Sequence, residues 1–233
     1  MAADIHLKGN GFSQNDLEQW LADLYGADGL AAMVCNRYPI TPVIADYKDS
    51  IAESIEAHFL GLHHVAVAGL VPVIEGAGRA LLASRDLSSK SVRRVFSELA
   101  ADCRRESIEK NIGATGEIVS MMDSFVSFTN NVLYIDSGKY PFIDGTNRHG
   151  ITHGTFKDGD YGNPINFYKT IGAVDFLSFV SAFRATISWF APEVTVESEI
   201  LASYYRKLQG IRSKGDTSAA QHCGQHRQAP SKS

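Results

Sequence analysis

Between Gly145 and Gly154 the chain reads Gly-Thr-Asn-Arg-His-Gly-Ile-Thr-His-Gly, with Arg148, His149 and His153 inside six positions. Imidazole titrates near neutrality, so it can take a proton from one oxygen or give one to another. Guanidinium holds a phosphate through paired hydrogen bonds and stabilises charge developing on it. Together these groups suit phosphodiester cleavage without a metal: an imidazole takes the proton of a ribose 2′-hydroxyl while the arginine holds the phosphate. No cofactor is needed for that scheme.

Spacing refines the picture. His149 and His153 are four apart and would share one helix face, whereas Arg148 and His153 lie roughly 140° apart on a regular helix at ~100° per residue. The preceding Asp144-Gly-Thr-Asn147 offers capping side chains, so a helix can start here. Arg148 would then bend back over the helix opening, where free N–H groups favour an anion. Gly150 would leave one flank bare for a backbone or a substrate to approach. Two other readings fit the same residues. One is a turn held by caps, with Arg148 paired to an acid such as Asp144. The other is zinc bound by His149 and His153, with a third ligand from His58, His63 or His64. Gly150 stands where a metalloprotease helix would carry its glutamate, which counts against zinc. In the tail, His222, Cys223 and His226 also look like ligands, and chance explains them better.

The elements that must position the cluster are helical. Ser13 reads as an N-cap, with Leu17, Trp20, Leu21 and Leu24 at helical spacing and a stop near Gly26. A short piece from Gly29 to Cys35 leads into a loop with Pro39 and Pro42. From Tyr47, Ile51, Ile55 and Phe59 share a face, and 61–82 is apolar nearly all round, with Pro72 expected to kink it or start a new helix. Further helices are expected over 91–110, 117–134, 165–190 and 194–208, with loops at 135–145 and 157–164. No alternating pair of runs is joined by a hairpin turn. The expected fold is all-α, a bundle of about six helices. Residues 1–46 form an N-terminal helical extension with a loose start, 47–208 the bundle, and 209–233 a disordered tail.

The chain of 233 residues carries a net charge of −4, which gives no overall electrostatic reason to bind nucleic acid. Near the cluster in sequence, the other basic residues are only Lys139, Lys157 and Lys169. Three scattered cysteines argue for a reducing compartment and against a disulfide framework. The first residues lack a signal-peptide pattern, and the apolar stretch 65–74 is short for a bilayer. The expectation is a cytoplasmic protein without a membrane partner.

Arg148-His149-Gly-Ile-Thr-His153 resembles the signature of the HEPN (higher eukaryotes and prokaryotes nucleotide-binding) superfamily: arginine, a polar residue, three residues, histidine. Val71-Pro-Val-Ile-Glu75-Gly76 on an earlier helix resembles a stretch common in that family, and Tyr161, Asn166 and Asp175 follow in the order many bacterial members show. The resemblance spans about residues 50–185. It implies an all-α fold, a homodimer that brings two motifs over one cleft, and a metal-independent endoribonuclease of defence or toxin type. RNA or a nucleotide would be the ligand and an antitoxin protein a partner. Arg148 and His153 would be the catalytic pair with His149 assisting. Asn147 would orient the arginine, and Tyr161 and Asn166 would lend support. Glu75 reads either as a partner of the arginine or a histidine, or as a helix-end salt bridge. The family also holds non-catalytic helical modules that bind nucleotides or proteins, and that alternative stays open.

Overall fold

The computed structural model describes residues 13–185, 187–188 and 190–225, with side chains described through residue 211. The loose start expected over 1–12 lies outside the described residues. The described chain is all α, with no strand. In order, the helices are α1 (Gln14–Leu24), α2 (Ala27–Asn36), α3 (Lys48–Phe59), α4 (His63–Ala83), α5 (Val92–Lys110), α6 (Thr115–Phe128), α7 (Arg148–Thr152), α8 (Asp158–Tyr161), α9 (Pro164–Ala182) and α10 (Val196–Gln225). Of the tail expected over 209–233, residues 209–225 continue α10 and 226–233 lie outside the described residues, as do the side chains of His222, Cys223 and His226.

Helix α1 starts where the sequence suggests: Ser13 and Asp16 form a reciprocal capping box. Helices α4 and α9 lie against each other at the centre. Ala66, Val67, Leu70, Val71, Ile74 and Ala77 of α4 are buried in one cluster with Phe167, Ile171, Val174 and Leu177 of α9. On α9 even Asn166, Thr170 and Ser178 are buried, so this helix is covered nearly all round. By length and composition alone α4 would cross a bilayer, and just over half of its most apolar window is buried inside the protein.

Two elements differ from expectation, and a third decides between two alternatives. Helix α4 runs through Pro72 as one element and no new helix starts there. Pro72 is exposed and Ala68 only half-buried, so the carbonyl deprived of its helical donor can turn to water. Helix α6 ends at Phe128 and widens into a π turn, Thr129–Leu133. Helix α9 stops at Ala182 rather than near Phe190. Just beyond its end, Arg184 reaches across to α5, which gives the chain a reason to leave the helix there.

That reach belongs to a buried charge node. Asp102 and Glu106 of α5 are 4% and 6% exposed. Arg85 Nη1 lies 2.7 Å from Asp102, and Arg184 contacts both acids at 2.9 and 3.0 Å. Arg85 also donates to the Val180 carbonyl at 2.7 Å. The node ties the ends of α4 and α9 to the middle of α5. Removing one partner from such a node strands buried charge, which costs far more than losing an exposed pair. Asp102→Ala should therefore lower the unfolding free energy by about 3 kcal/mol. Asp123→Ala, which loses the exposed Arg104 pair, should cost under about 1 kcal/mol. Urea unfolding of both variants checks this ordering.

Candidate active site

Helix α7 is a single turn, and it exists because its first residue is capped. Asn147 Oδ1 accepts from the Gly150 N–H at 2.8 Å, while its amide donates to the carbonyls of Val132 (3.1 Å) and Ile135 (2.9 Å). Asn147 is wholly buried. It thereby fixes the backbone from which Arg148 projects. This corrects one expectation: Arg148 does not fold over the helix opening, because Asn147 already occupies it. The guanidinium instead runs the other way, toward the residue that ends the turn.

Arg148 Nη1 lies 3.3 Å from His153 Nε2 and 3.5 Å from His149 Nδ1. A guanidinium only donates, so both ring nitrogens must present lone pairs to it. The two imidazoles are nearly parallel, 12° apart with centroids at 5.8 Å. Burial first, then the charges of Arg148, His153 and Arg93, hold the His149 pKa below its usual value, with Asp136 opposing. His153 is exposed and Arg148 half-buried. All three line an open cleft of about 620 Å³ together with Arg93, Tyr134 and Asp136.

Glu75 sits beside the cluster, in the body of α4 rather than at a helix end. Its Oε2 lies 3.3 Å from Arg148 Nε, and its Oε1 lies 3.3 Å from Arg79 one turn along α4. The carboxylate therefore orients the arginine from behind and leaves Nη1 to the histidines. Asn166 supports more remotely: it bonds Thr146 Oγ1 and donates to the Tyr161 carbonyl at 2.9 Å, and it is fully buried. Tyr161 contributes that carbonyl and packs against the core, away from the cleft. Asp175 is also elsewhere, bonded to Tyr38 at 2.8 Å.

Several other expectations change. Asp144 is engaged by Lys169 and Tyr140, so it is not the partner of Arg148. Burial works against its charge, but those two hydrogen bonds prevail and hold its pKa low. His58 and His63 pair with each other at 3.1 Å, His58 stacks on Phe167, and both histidines line a depression separate from the cleft. Neither therefore joins His149 and His153 as a ligand. Among the described residues, no group of three or more His, Cys, Asp or Glu could hold a metal ion. The flank of Gly150 is not bare. The Phe156 ring lies where a Cβ would come within 2.5 Å of it. Gly145 has φ +67°, and a Cβ there would meet the Asp160 carbonyl at 2.2 Å.

Sequence reading missed Arg79, Arg93 and Tyr134. Spacing from Glu75 identified no role for Arg79, although the two are four apart on one helix and such pairs face each other. Arg93 comes from an amphipathic helix some fifty residues upstream, and its Nε donates to the Tyr134 carbonyl at 2.7 Å. The phenol of Tyr134 is buried, and its oxygen has no hydrogen-bond partner among the described residues. Burial, with Glu75 adding to it, pushes its pKa well up. These arginines supply the positive charge that the sequence around the cluster lacks.

No protein-family model, curated protein or solved structure matches the chain.

Two measurements check this geometry. In an NMR titration His149 should show a midpoint below that of an ordinary exposed histidine, rising in Arg148→Ala as one positive neighbour is removed. Because its folded pKa is depressed, the stability it contributes is present above the unfolded value of about 6.5 and is lost as pH falls through the folded value. Separately, Gly150→Ala should destabilise by about 1–3 kcal/mol through the clash with Phe156. Adding Phe156→Ala should recover part of that loss in a thermal melt. No recovery would show that the ring is not the obstacle.

Proposed function

We propose that the protein is a metal-independent endoribonuclease in which Arg148 and His153 act on one phosphodiester. The observation that carries this reading is the convergence of Arg148 Nη1 on two imidazole lone pairs at the mouth of an open cleft. A phosphate entering the cleft competes for Nη1, because a charged oxygen is the better acceptor. That exchange frees His153 Nε2 to take the proton of the ribose 2′-hydroxyl. The 2′-oxygen bonds to phosphorus, the bond from phosphorus to the 5′-oxygen breaks, and His153 returns the proton to the leaving oxygen. The products are a 2′,3′-cyclic phosphate and a 5′-hydroxyl. Arg148, with Arg93 beside it, stabilises charge on the non-bridging oxygens. His149 stays neutral and keeps Arg148 aimed.

On this reading the protein is HEPN-like and works in the cytoplasm. It acts as a homodimer that sets two Arg/His pairs over one RNA, in a defence or toxin role held in check by an antitoxin protein. Glu75 favours a second reading. Its carboxylate already neutralises part of Arg148, and the chain is acidic overall, as suits a non-catalytic module that binds a nucleotide or a protein at the same cleft.

Incubation with total RNA in EDTA separates the two. The wild type should cut, leaving cyclic phosphate ends, and Arg148→Ala and His153→Ala should each fall by about 10²–10⁴-fold. An RNA with 2′-deoxyribose at the cut position should resist. Wild-type protein that binds RNA but leaves it whole supports the binding module. Variants that cut as well as the wild type rule out the pair as catalysts.

A further inference from the structure

A second cavity, of about 410 Å³, shares no lining residue with the Arg148 cleft. It lies among α1, α2, α9 and the segment 190–194, with Leu30, Met33 and Phe179 among its walls. Leu24, Phe190 and Val194 at its margin are large, apolar and exposed. The volume falls in the range of small-molecule sites, about 300–1,000 Å³, which are usually apolar with a few placed polar groups.

Five side chains with polar groups line it: Tyr25, Asp28, Arg37, Asp175 and Ser178. Asp28 sits at the exposed edge and is held by Arg206 at 2.8 Å. Asp175 is already an acceptor for Tyr38, at 2.8 Å, and for Tyr25. What remains are donors. Arg37 is 8% exposed; Asp175 feels its charge, yet among the described residues no carboxylate lies within ion-pair distance of it. Its guanidinium donates to the Phe190 carbonyl. Ser178 is 4% exposed, and its hydroxyl has no hydrogen-bond partner among the described residues. A buried hydroxyl without an acceptor, beside a buried guanidinium with N–H groups to spare, is an unmet hydrogen-bonding demand.

We propose that this cavity binds a small amphipathic carboxylate. Its head group sits on the Arg37 guanidinium and the Ser178 hydroxyl, and its apolar chain lies along Leu30, Met33 and Phe179. A carboxylate only accepts, which matches the Ser178 hydroxyl and the N–H groups of Arg37 not taken by the Phe190 carbonyl, and a planar guanidinium can meet it with two parallel bonds. The chain covers apolar surface that otherwise faces water.

Titration calorimetry of the full chain with decanoate, and with decanol as the uncharged counterpart, tests this. Decanoate should bind saturably at one site, and decanol at least about tenfold more weakly, since a charged hydrogen-bonded contact is replaced by a neutral one. Ser178→Ala should weaken decanoate about tenfold without lowering the melting temperature, because in the free protein that hydroxyl has no bond to lose. Met33→Trp should fill the cavity and abolish binding, and Arg37→Met should do so by removing the cation. The proposal is overturned if decanoate does not saturate, if decanol binds as tightly, or if Ser178→Ala and Met33→Trp both bind decanoate like the wild type.

Discussion

Where the π turn that follows α6 ends, its carbonyls and those just beyond it must find donors, and side chains supply them. Val132 and Ile135 accept from the Asn147 amide and Tyr134 accepts from Arg93 Nε. A helix end buried without such partners would be unstable. The π turn at Thr129–Leu133 belongs to this solution, since it alters which carbonyls remain open. Three segments distant in sequence thus meet at one helix terminus: α5 through Arg93, the end of α6, and α7 through Asn147. The placement of Arg148, His149 and His153 depends on that junction, because a one-turn helix has too few internal bonds to hold its own position.

Charge is then distributed around Arg148 in layers. Glu75 sits behind it, on a central helix, and takes Nε. The histidines lie in front and take Nη1 through lone pairs. Arg79 shares Glu75, so the carboxylate is not wholly spent on Arg148 and positive charge remains in excess locally. The side chains that orient are buried, Asn147 and Asn166 completely so, whereas His153 is open to solvent. Rigid, dry support beneath exposed reactive groups is the arrangement that holds a site in register before anything binds.

Much of the fold was legible because helical periodicity and capping are local. Ser13 with Asp16 marked the start of α1, and the apolar residues of α4 and α9 marked the two core helices. A helix start within Asp144–Asn147 was visible from the residue types, though not that Asn147 is the cap. What was not legible depends on distant partners. Nothing local says that α9 ends at Ala182, since its apolar pattern continues; the end coincides with Arg184 turning to acids eighty residues away. Gly150 looked like room for a ligand, because the sequence cannot show that Phe156 folds back onto it. Arg93 was hidden for the same reason: a basic residue on an amphipathic helix looks like solvent-facing charge until the helix is docked. The direction of Arg148 was also misjudged, since its N-terminal alternative was sound and lost only to Asn147.

Helix α5 explains why the cleft is formed by elements so far apart. At its middle, Asp102 and Glu106 are clamped by Arg85 from the end of α4 and Arg184 from the end of α9. At its start, Arg93 is clamped to the end of α6. Two such anchors on one 19-residue helix leave it little freedom to slide or turn. Its register is thereby set relative to α4, which also carries Glu75. Glu75 and Arg93 therefore approach the cluster from two helices locked to each other by a buried ionic node. The node contributes little to net stability compared with an apolar packing of the same volume, because desolvating the charges offsets most of their attraction. What it confers is a defined alignment, and the alignment of Glu75 and Arg93 is what the Arg148 cluster requires.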